Sequence, residues 1–362
     1  IINRTEIDTY SVFIINNKNN NNKQRKNMNN FKKIGMSALA ASLVSTSAFA
    51  GELTASGSAS VTMEGFSGST LQTNTALSMA DSVILSGSTE LDNGMTVTMS
   101  FELDGAAESV GSAYDDNSLT VSSDTFGTVK FSAHGGSSAS TALDTTAAGD
   151  IMDNFDDVVT TAGGNTTAVQ ANLTKEAGAG DNSIYYTLPS MVDGLSVSAS
   201  LSTSGAQTGS TGNNALGYNA TYTGVEGLSV SYGIADIETG AAASSGDQTV
   251  MKASYAYGPV TAAYSNSDYS VGAANTEALA QEVTSYAVSY TVSDAISVTY
   301  GTETVESGLS TDTDAEYEKL SASYTAGGMT LTVTSADGEN VDHGTTAAED
   351  LEYWALGLSF AF

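Results

Sequence analysis

The last twelve residues of the chain, Leu351 to Phe362, constrain its fold more than any other stretch. Large apolar side chains alternate there with mostly small ones; the large ones are Trp354, Leu356, Leu358, Phe360 and Phe362. Strict alternation over about ten residues predicts a β-strand with two unlike faces. Aromatic residues lie near both ends of this strand, where the two interfaces of a bilayer would meet a crossing strand of about ten residues.

The first 50 residues differ in pattern from the rest of the chain. Residues 1–27 are rich in Asn, Lys and Ile without periodicity, and we interpret them as a non-native upstream segment. Residues 28–50 combine Lys32-Lys33, an apolar run and the small-residue end Ala48-Phe-Ala50, the order typical of a secretory signal peptide. The apolar run is too short for a membrane anchor. We therefore expect cleavage after Ala50 and a mature domain at 51–362.

The composition of residues 51–362 excludes several classes of protein. Four lysines and no arginine stand against 39 acidic residues, which gives a formal charge of −35. Nucleic acid is excluded as a partner, because its recognition needs clustered Lys and Arg. The absence of cysteine excludes a disulfide scaffold and a thiolate metal site. The domain has no stretch of 18 consecutive apolar residues, so the sequence predicts no transmembrane helix.

Short alternating segments recur along the whole mature domain and predict 16 strands. Seven short turns and eight longer loops join them alternately, and both prolines, Pro189 and Pro259, fall in short turns. This rhythm predicts an all-β fold, a 16-stranded antiparallel transmembrane β-barrel with room for an aqueous lumen. The strands are predicted at 53–63, 83–91, 95–103, 119–121, 129–133, 184–188, 195–201, 216–222, 228–234, 251–257, 260–264, 283–292, 296–302, 320–326, 329–333 and 351–362.

Several segments resemble the general porins of alphaproteobacteria. They are Asp81 to Met95, Phe126 to Phe131, Tyr185 to Leu188, Gly194 to Ala199 and Leu356 to Phe362. The resemblance implies homotrimers of water-filled barrels in outer-membrane lipid, through which small hydrophilic solutes diffuse. It also implies a third loop that folds inward, which the long connection at 135–181 matches in order and length. The terminal Phe362 would be the signal read by the barrel-assembly machinery.

Strand alternation assigns the charged residues of the wall to the lumen. A charge that faced lipid at mid-bilayer would cost several kcal/mol, about 2–4 for Lys. The alternation places these charges on the inner face instead, and a shift of one residue would reverse all of them. The candidates are Glu64, Glu90, Glu102, Lys130, His134, Lys252 and Lys319 on strands, with Asp144, Asp150, Asp153, Asp156 and Asp157 on the long loop.

These acids predict the ion preference of a channel. In the porins that the chain resembles, loop acids face a wall of arginines, whereas this mature domain has no arginine. An acid-lined constriction concentrates cations and repels anions, so we expect cation selectivity. For any single Asp, a solvated loop charge is the alternative.

Two other functions stay open at this point. Asp153, Asp156 and Asp157 could bind Ca²⁺, although the loop lacks the EF-hand pattern and a plain acidic loop is the alternative. A secreted acidic β-rich adhesin or surface-layer protein with Ca²⁺ sites would share the composition. An adhesin would have no reason to alternate short and long connections. Enzymatic motifs are missing, since the chain has no HExxH, phosphate loop or nucleophile elbow.

Overall fold

The computed structural model describes residues 53–67, 75–104, 115–155, 182–203, 214–238, 245–271, 280–309, 312–343 and 350–362. The upstream segment at 1–27 and the signal peptide at 28–50 lie outside these ranges. No helix among the described residues is long and apolar enough to span a bilayer.

The described residues form 16 strands in one closed antiparallel barrel. Each strand pairs with its neighbours in the chain, and β1 pairs with β16 to close the ring. The predicted fold class is therefore confirmed. The strands are β1 (Thr54–Ser67), β2 (Thr75–Glu90), β3 (Thr96–Asp104), β4 (Asn117–Ser123), β5 (Gly127–His134), β6 (Ser183–Thr187), β7 (Leu195–Thr203), β8 (Asn214–Tyr222), β9 (Leu228–Glu238), β10 (Gly246–Tyr257), β11 (Val260–Val271), β12 (Gln281–Ser293), β13 (Ile296–Ser307), β14 (Ala315–Ala326), β15 (Met329–Glu339) and β16 (Leu351–Ala361).

The two faces of the wall differ as the alternation predicts. Val61 of β1 stands opposite Leu358 of β16, and both belong to the apolar outer face. The inner face is lined by small hydroxyl side chains that bond across strands, such as Ser289 to Thr299 at 2.8 Å. Because successive side chains of a strand point to opposite faces, the register fixes the side of every strand residue.

The second strand begins eight residues before its predicted start. The structure starts β2 at Thr75, whereas the sequence predicts it from Val83. Asp81 interrupts the apolar alternation, and it stands opposite Ala59 on the outer face of the barrel. The strand continues past this acid because its backbone remains paired with β1, a contact that the side-chain pattern does not reveal.

The seam between the first and last strands is closed at the chain terminus. The amide of Gly57 donates to the carbonyl oxygen of Phe362 at 2.8 Å, and the amide of Phe362 donates back at 3.0 Å. A Cβ atom on Gly57 would lie 2.6 Å from Cε2 of Phe362, so the terminal ring packs directly over the glycine. The missing side chain of Gly57 thus leaves the space in which the terminal aromatic ring packs.

Candidate pore constriction

Part of the third long connection lies inside the barrel. We call Ser138–Phe155 the docked segment, because its backbone and side chains contact the inner wall. At its start, the amide of Ala139 donates to Oγ of Ser200 on β7 at 2.7 Å. Nδ2 of Asn219 on β8 donates to the carbonyl oxygen of Ala139 at 2.6 Å. The predicted inward fold of this loop is therefore observed for the described residues.

The middle of the docked segment lies along one row of inner-wall residues. Lys252, Ser265, Ser285 and Glu303 stand opposite one another on consecutive strands from β10 to β13. Nζ of Lys252 donates to the carbonyl oxygen of Thr145. Lys252 thus provides a hydrogen-bond donor at one end of the row, and the three residues after it provide acceptors. An irregular segment has unpaired backbone carbonyl and amide groups that need such partners.

The other members of this row accept hydrogen bonds from the docked segment. The amides of Ala147 and Ala148 donate to Oγ of Ser265 and Ser285 at 2.7 and 3.0 Å. The amide of Met152 donates to Oε2 of Glu303 at 3.1 Å, and the hydroxyl of Thr146 donates to the same carboxylate. Glu303 is only 1% exposed, so these bonds satisfy a carboxyl group that is shielded from water.

The end of the docked segment is held by apolar contacts. Ile151 and Phe155 are fully buried. The ring of Phe155 lies 5.2 Å from that of Tyr317 and 6.2 Å from that of Tyr353, measured between centroids. Phe66 packs against the same ring at 6.1 Å. Burying a phenylalanine side chain contributes about 1.5–3 kcal/mol, so this cluster is the main apolar anchor of the segment.

A glycine on β13 lets the docked segment approach the wall. An added Cβ atom at Gly301 would lie 2.5 Å from Cβ of Ala148, which is closer than two non-bonded carbon atoms approach. Gly301 stands opposite Lys319 of β14, whose Nζ donates to the carbonyl oxygen of Gly149 at 2.7 Å. The absence of a side chain at Gly301 therefore lets the docked segment contact the wall beside the ammonium group of Lys319.

The opposite side of the barrel carries three more of the predicted wall charges. In a ring of 16 strands β4 stands across from β12, so the described part of the loop faces β3 to β5. On these strands the register places Glu102, Lys130 and His134 on the inner face. Burial, and then the charges of Glu102 and Asp115, raise the pKa of Asp116, which lies just before β4. Lys130 and His134 act in the opposite direction.

Most of the other predicted site residues lie within the described ranges. Glu64 faces inward and accepts a hydrogen bond from the hydroxyl of Tyr353 at 2.6 Å, and Glu90 lies on the same face at the far end of β2. Asp150 accepts from the amide of Thr146 at 2.8 Å. Asp144 and Asp153 also belong to the docked segment, where burial and then the charge of Asp150 raise the pKa of Asp153.

The calcium prediction falls partly outside the described ranges. Asp156 and Asp157 follow the last described residue of the loop, and only Asp153 of the proposed set has a place in the structure. Within the described ranges, no group of three or more His, Asp or Glu is arranged to hold a metal ion. A site built from Asp153, Asp156 and Asp157 therefore stays a prediction.

Several residues that hold the constriction were not predicted from the sequence, and three of them lie side by side on β11 to β13. Ser265 and Ser285 are two of many serines on alternating strands, and no local pattern distinguishes them. Glu303 lies between Thr302 and Thr304, so both faces of β13 are polar there. A signal that could have found Glu303 is its charge on a strand that crosses a membrane, where a carboxylate needs partners.

Comparisons with known proteins agree with this architecture. A family model described as Gram-negative porin matches residues 36–342. No curated protein matches the sequence. Three solved structures illustrate the likeness. A porin refined at 1.8 Å resolution has 20% sequence identity and a TM-score of 0.60, and the match covers 86% of this chain and 100% of that one.

The second structure, an anion-selective porin from Comamonas acidovorans, has 15% identity and a TM-score of 0.61, with 86% and 99% of the two chains covered. The third, OmpT of Vibrio cholerae in its trimer form, has 13% identity and a TM-score of 0.61, with 86% and 100% covered. Identities this low show the fold alone. The family model covers most of the chain, and together with the closed barrel and its inward loop it shows that the chain belongs to the Gram-negative porins of the outer membrane.

Proposed function

We propose that this porin forms a cation-selective, water-filled channel for the passive diffusion of small hydrophilic solutes and ions. Family and fold support an outer-membrane diffusion channel rather than an enzyme, and they do not favour the adhesin alternative. The ion preference is the finer proposal, since the same fold occurs in a porin that is anion-selective. Selectivity must therefore come from the side chains around the opening.

The observation that carries the proposal is the charge on both sides of the opening. The docked segment carries Asp144, Asp150 and Asp153, and the opposite wall carries Glu102 and Asp116. Two inner-wall lysines near the segment donate to its main-chain carbonyls. Carboxylates in a narrow passage with low-dielectric walls attract cations and repel anions.

The test is a reversal potential in a planar bilayer under a KCl gradient. The purified mature chain should give stepwise conductance with a reversal potential on the potassium side. Replacing both Glu102→Gln and Asp116→Asn should move that potential toward zero. The matched control is Asp337→Asn with Glu352→Gln, an opposed pair on the outer face of β15 and β16. It removes the same charge from outside the lumen and should leave the potential unchanged. Anion selectivity of the unmodified channel would refute the proposal.

We also propose a homotrimer. The outer surface supports this, because β1 to β5 contain no tyrosine. Tyrosines mark the lipid–water interfaces of membrane barrels. On the outer face of β2, Leu77 and Met79 are 74% and 72% exposed, so another copy would bury them. The outer-face tyrosines lie elsewhere, at Tyr186, Tyr218, Tyr222, Tyr232, Tyr255, Tyr257, Tyr264, Tyr286, Tyr290, Tyr300 and Tyr324.

Cross-linking tests this assembly. A single cysteine at Met79 should give cross-linked dimers and trimers with a short bifunctional thiol reagent in outer-membrane vesicles. A cysteine at Leu320, which is 54% exposed on the outer face of β14, should not. Equal cross-linking at both positions would contradict the assigned surface.

Two further partners follow from the sequence and remain proposals. Recognition of Phe362 by the barrel-assembly machinery predicts that Phe362→Ala accumulates as unfolded protein in the periplasm. Binding of Ca²⁺ by Asp153, Asp156 and Asp157 predicts that a chelator changes the single-channel conductance. Conductance that is the same with Ca²⁺ and with chelator would exclude a calcium site in the pore.

A further inference from the structure

Two of the four lysines in the mature domain contact the docked segment in the same way. Lys252 lies on β10 and Lys319 on β14, both on the inner face. Each Nζ donates a hydrogen bond to a main-chain carbonyl oxygen, Lys252 to that of Thr145 and Lys319 to that of Gly149. The two bonds therefore bracket residues 145–149 from opposite ends.

The backbone at the end of this stretch and just after it has a shape that needs support. Gly149 and Asp150 both have positive φ angles, 77° and 45°. A positive φ is uncommon for a residue other than glycine and persists only where the surroundings hold it. Thr146 and Asp150 also bond each other, since the amide of Asp150 donates to Oγ1 of Thr146 at 2.8 Å. The backbone turn is thus closed on itself, and the carbonyls on either side point to the wall.

Both ammonium groups are partly buried and feel the charges of acidic groups. Asp150 and Asp144 act electrostatically on Lys252, and Glu303, Asp150 and Asp153 act on Lys319. The positive charge of each lysine is therefore offset locally by carboxylates of the docked segment or of the wall beneath it. The four acidic groups outnumber the two lysines, so the local charge stays negative, whereas the hydrogen bond of each lysine still fixes the position of the backbone.

We infer that Lys252 and Lys319 are positioning residues that clamp residues 145–149 to the wall and so set the width of the opening. This inference rests on the proposed channel function. It assigns these lysines a different role from Lys130, whose side chain lies on the inner face across the barrel. Each clamp shifts the equilibrium between docked and undocked segment about tenfold to a hundredfold, the range for hydrogen bonds of charged groups.

The experiment separates width from charge. Lys252→Met with Lys319→Met removes both donors and keeps unbranched side chains. Liposome swelling with uncharged sugars of increasing size measures the exclusion limit, and single-channel recording measures conductance and noise. The double variant should admit larger sugars and show a noisier, higher open-channel current. Lys130→Met is the matched control for charge, and it should keep the exclusion limit and shift only the reversal potential. Lys252→Arg retains a donor and should behave as the unmodified channel.

A disulfide tests the same clamp by rescue. The chain has no cysteine, so a pair at Ala147→Cys and Ser265→Cys would form the only disulfide. The two positions already touch, because the amide of Ala147 bonds Oγ of Ser265. In the double lysine variant, oxidation should restore the small exclusion limit and reduction should enlarge it again.

Several outcomes overturn the inference. An unchanged exclusion limit in the double variant, with only a shifted reversal potential, would make the lysines pore charges. Failure of the cysteine pair to oxidise in the otherwise unmodified chain would contradict the docked position, and this holds even if the double variant does not fold. Sugar exclusion does not depend on ion preference, so an anion-selective channel would refute the proposed selectivity and leave the clamp standing.

Discussion

A single methyl group at Gly301 should displace the docked segment. The added Cβ atom would lie 2.5 Å from Cβ of Ala148 and 3.2 Å from its Cα atom. Gly301 itself cannot retreat, because β13 is paired on both sides with β12 and β14. The segment is held near this point by the bond from the amide of Ala148 to Ser285. The segment is therefore the partner that moves.

The size of the effect follows from overpacking. Inserting a methyl group into a filled contact costs about 1–3 kcal/mol. Replacing glycine by alanine also stabilises the chain by about 0.4–1 kcal/mol through the unfolded state. This gain raises the free energy of unfolding of the whole barrel and does not change the docking of the loop. We therefore expect Gly301→Ala to weaken docking by about 1–3 kcal/mol, which lowers the docked-to-undocked ratio by a factor of about 5 to 150.

Conductance and heat-modifiability together measure this prediction. Gly301→Ala should raise single-channel conductance and enlarge the sugar exclusion limit, and the temperature at which the barrel unfolds in detergent should stay the same or rise slightly. Gly357→Ala on β16 is the matched control. It lies on the inner face, where a Cβ atom would have Thr62 Oγ1 as its nearest neighbour at 3.9 Å. This variant should keep the conductance of the unmodified channel.

The reasoning fails if Gly301→Ala and Gly357→Ala behave alike. It also fails if Gly301→Ala lowers the unfolding temperature by several degrees without a change in conductance. In that case the barrel wall, and not the docked segment, would have absorbed the added methyl group.

Three further predictions concern other contacts. Phe155→Ala should cost the docked segment about 3–5 kcal/mol of apolar packing and increase open-channel noise, measured by single-channel recording against Phe126→Ala on an exposed turn. Equal noise in the two variants would contradict the role of Phe155 as the apolar anchor. Gly57→Val should displace the ring of Phe362 and reduce the heat-modifiable fraction of refolded protein. Full refolding of this variant would show that the seam tolerates a side chain at this position. Because burial and neighbouring acids raise the pKa of Asp116, its ionisation costs stability as the pH rises through that pKa. Asp116→Asn should therefore unfold at a higher temperature than the unmodified chain at neutral pH and gain nothing at pH 3, and an equal gain at both values would refute this assignment.

The barrel could be predicted from the sequence, whereas the contacts that narrow it could not. Alternation with Met251 and Ala253 is enough to place Lys252 on the inner face. Its partner, the carbonyl oxygen of Thr145, has no sequence signal, because every residue carries such a group. At Glu303 the alternation fails for another reason: the threonines on either side make the outer face as polar as the inner one. The start of β2 was missed for a similar reason, since Asp81 interrupts its outer apolar face.

The pocket for Phe155 has a consequence for the order in which the protein assembles. Its walls come from Phe66 on β1, Tyr317 on β14 and Tyr353 on β16, so they lie on both sides of the seam where the first and last strands meet. Phe66 and Tyr353 stand opposite each other only when β1 and β16 are paired. An open sheet therefore has no complete site for the loop. The apolar anchor that holds the loop in the lumen is complete only after the last strand has closed the ring.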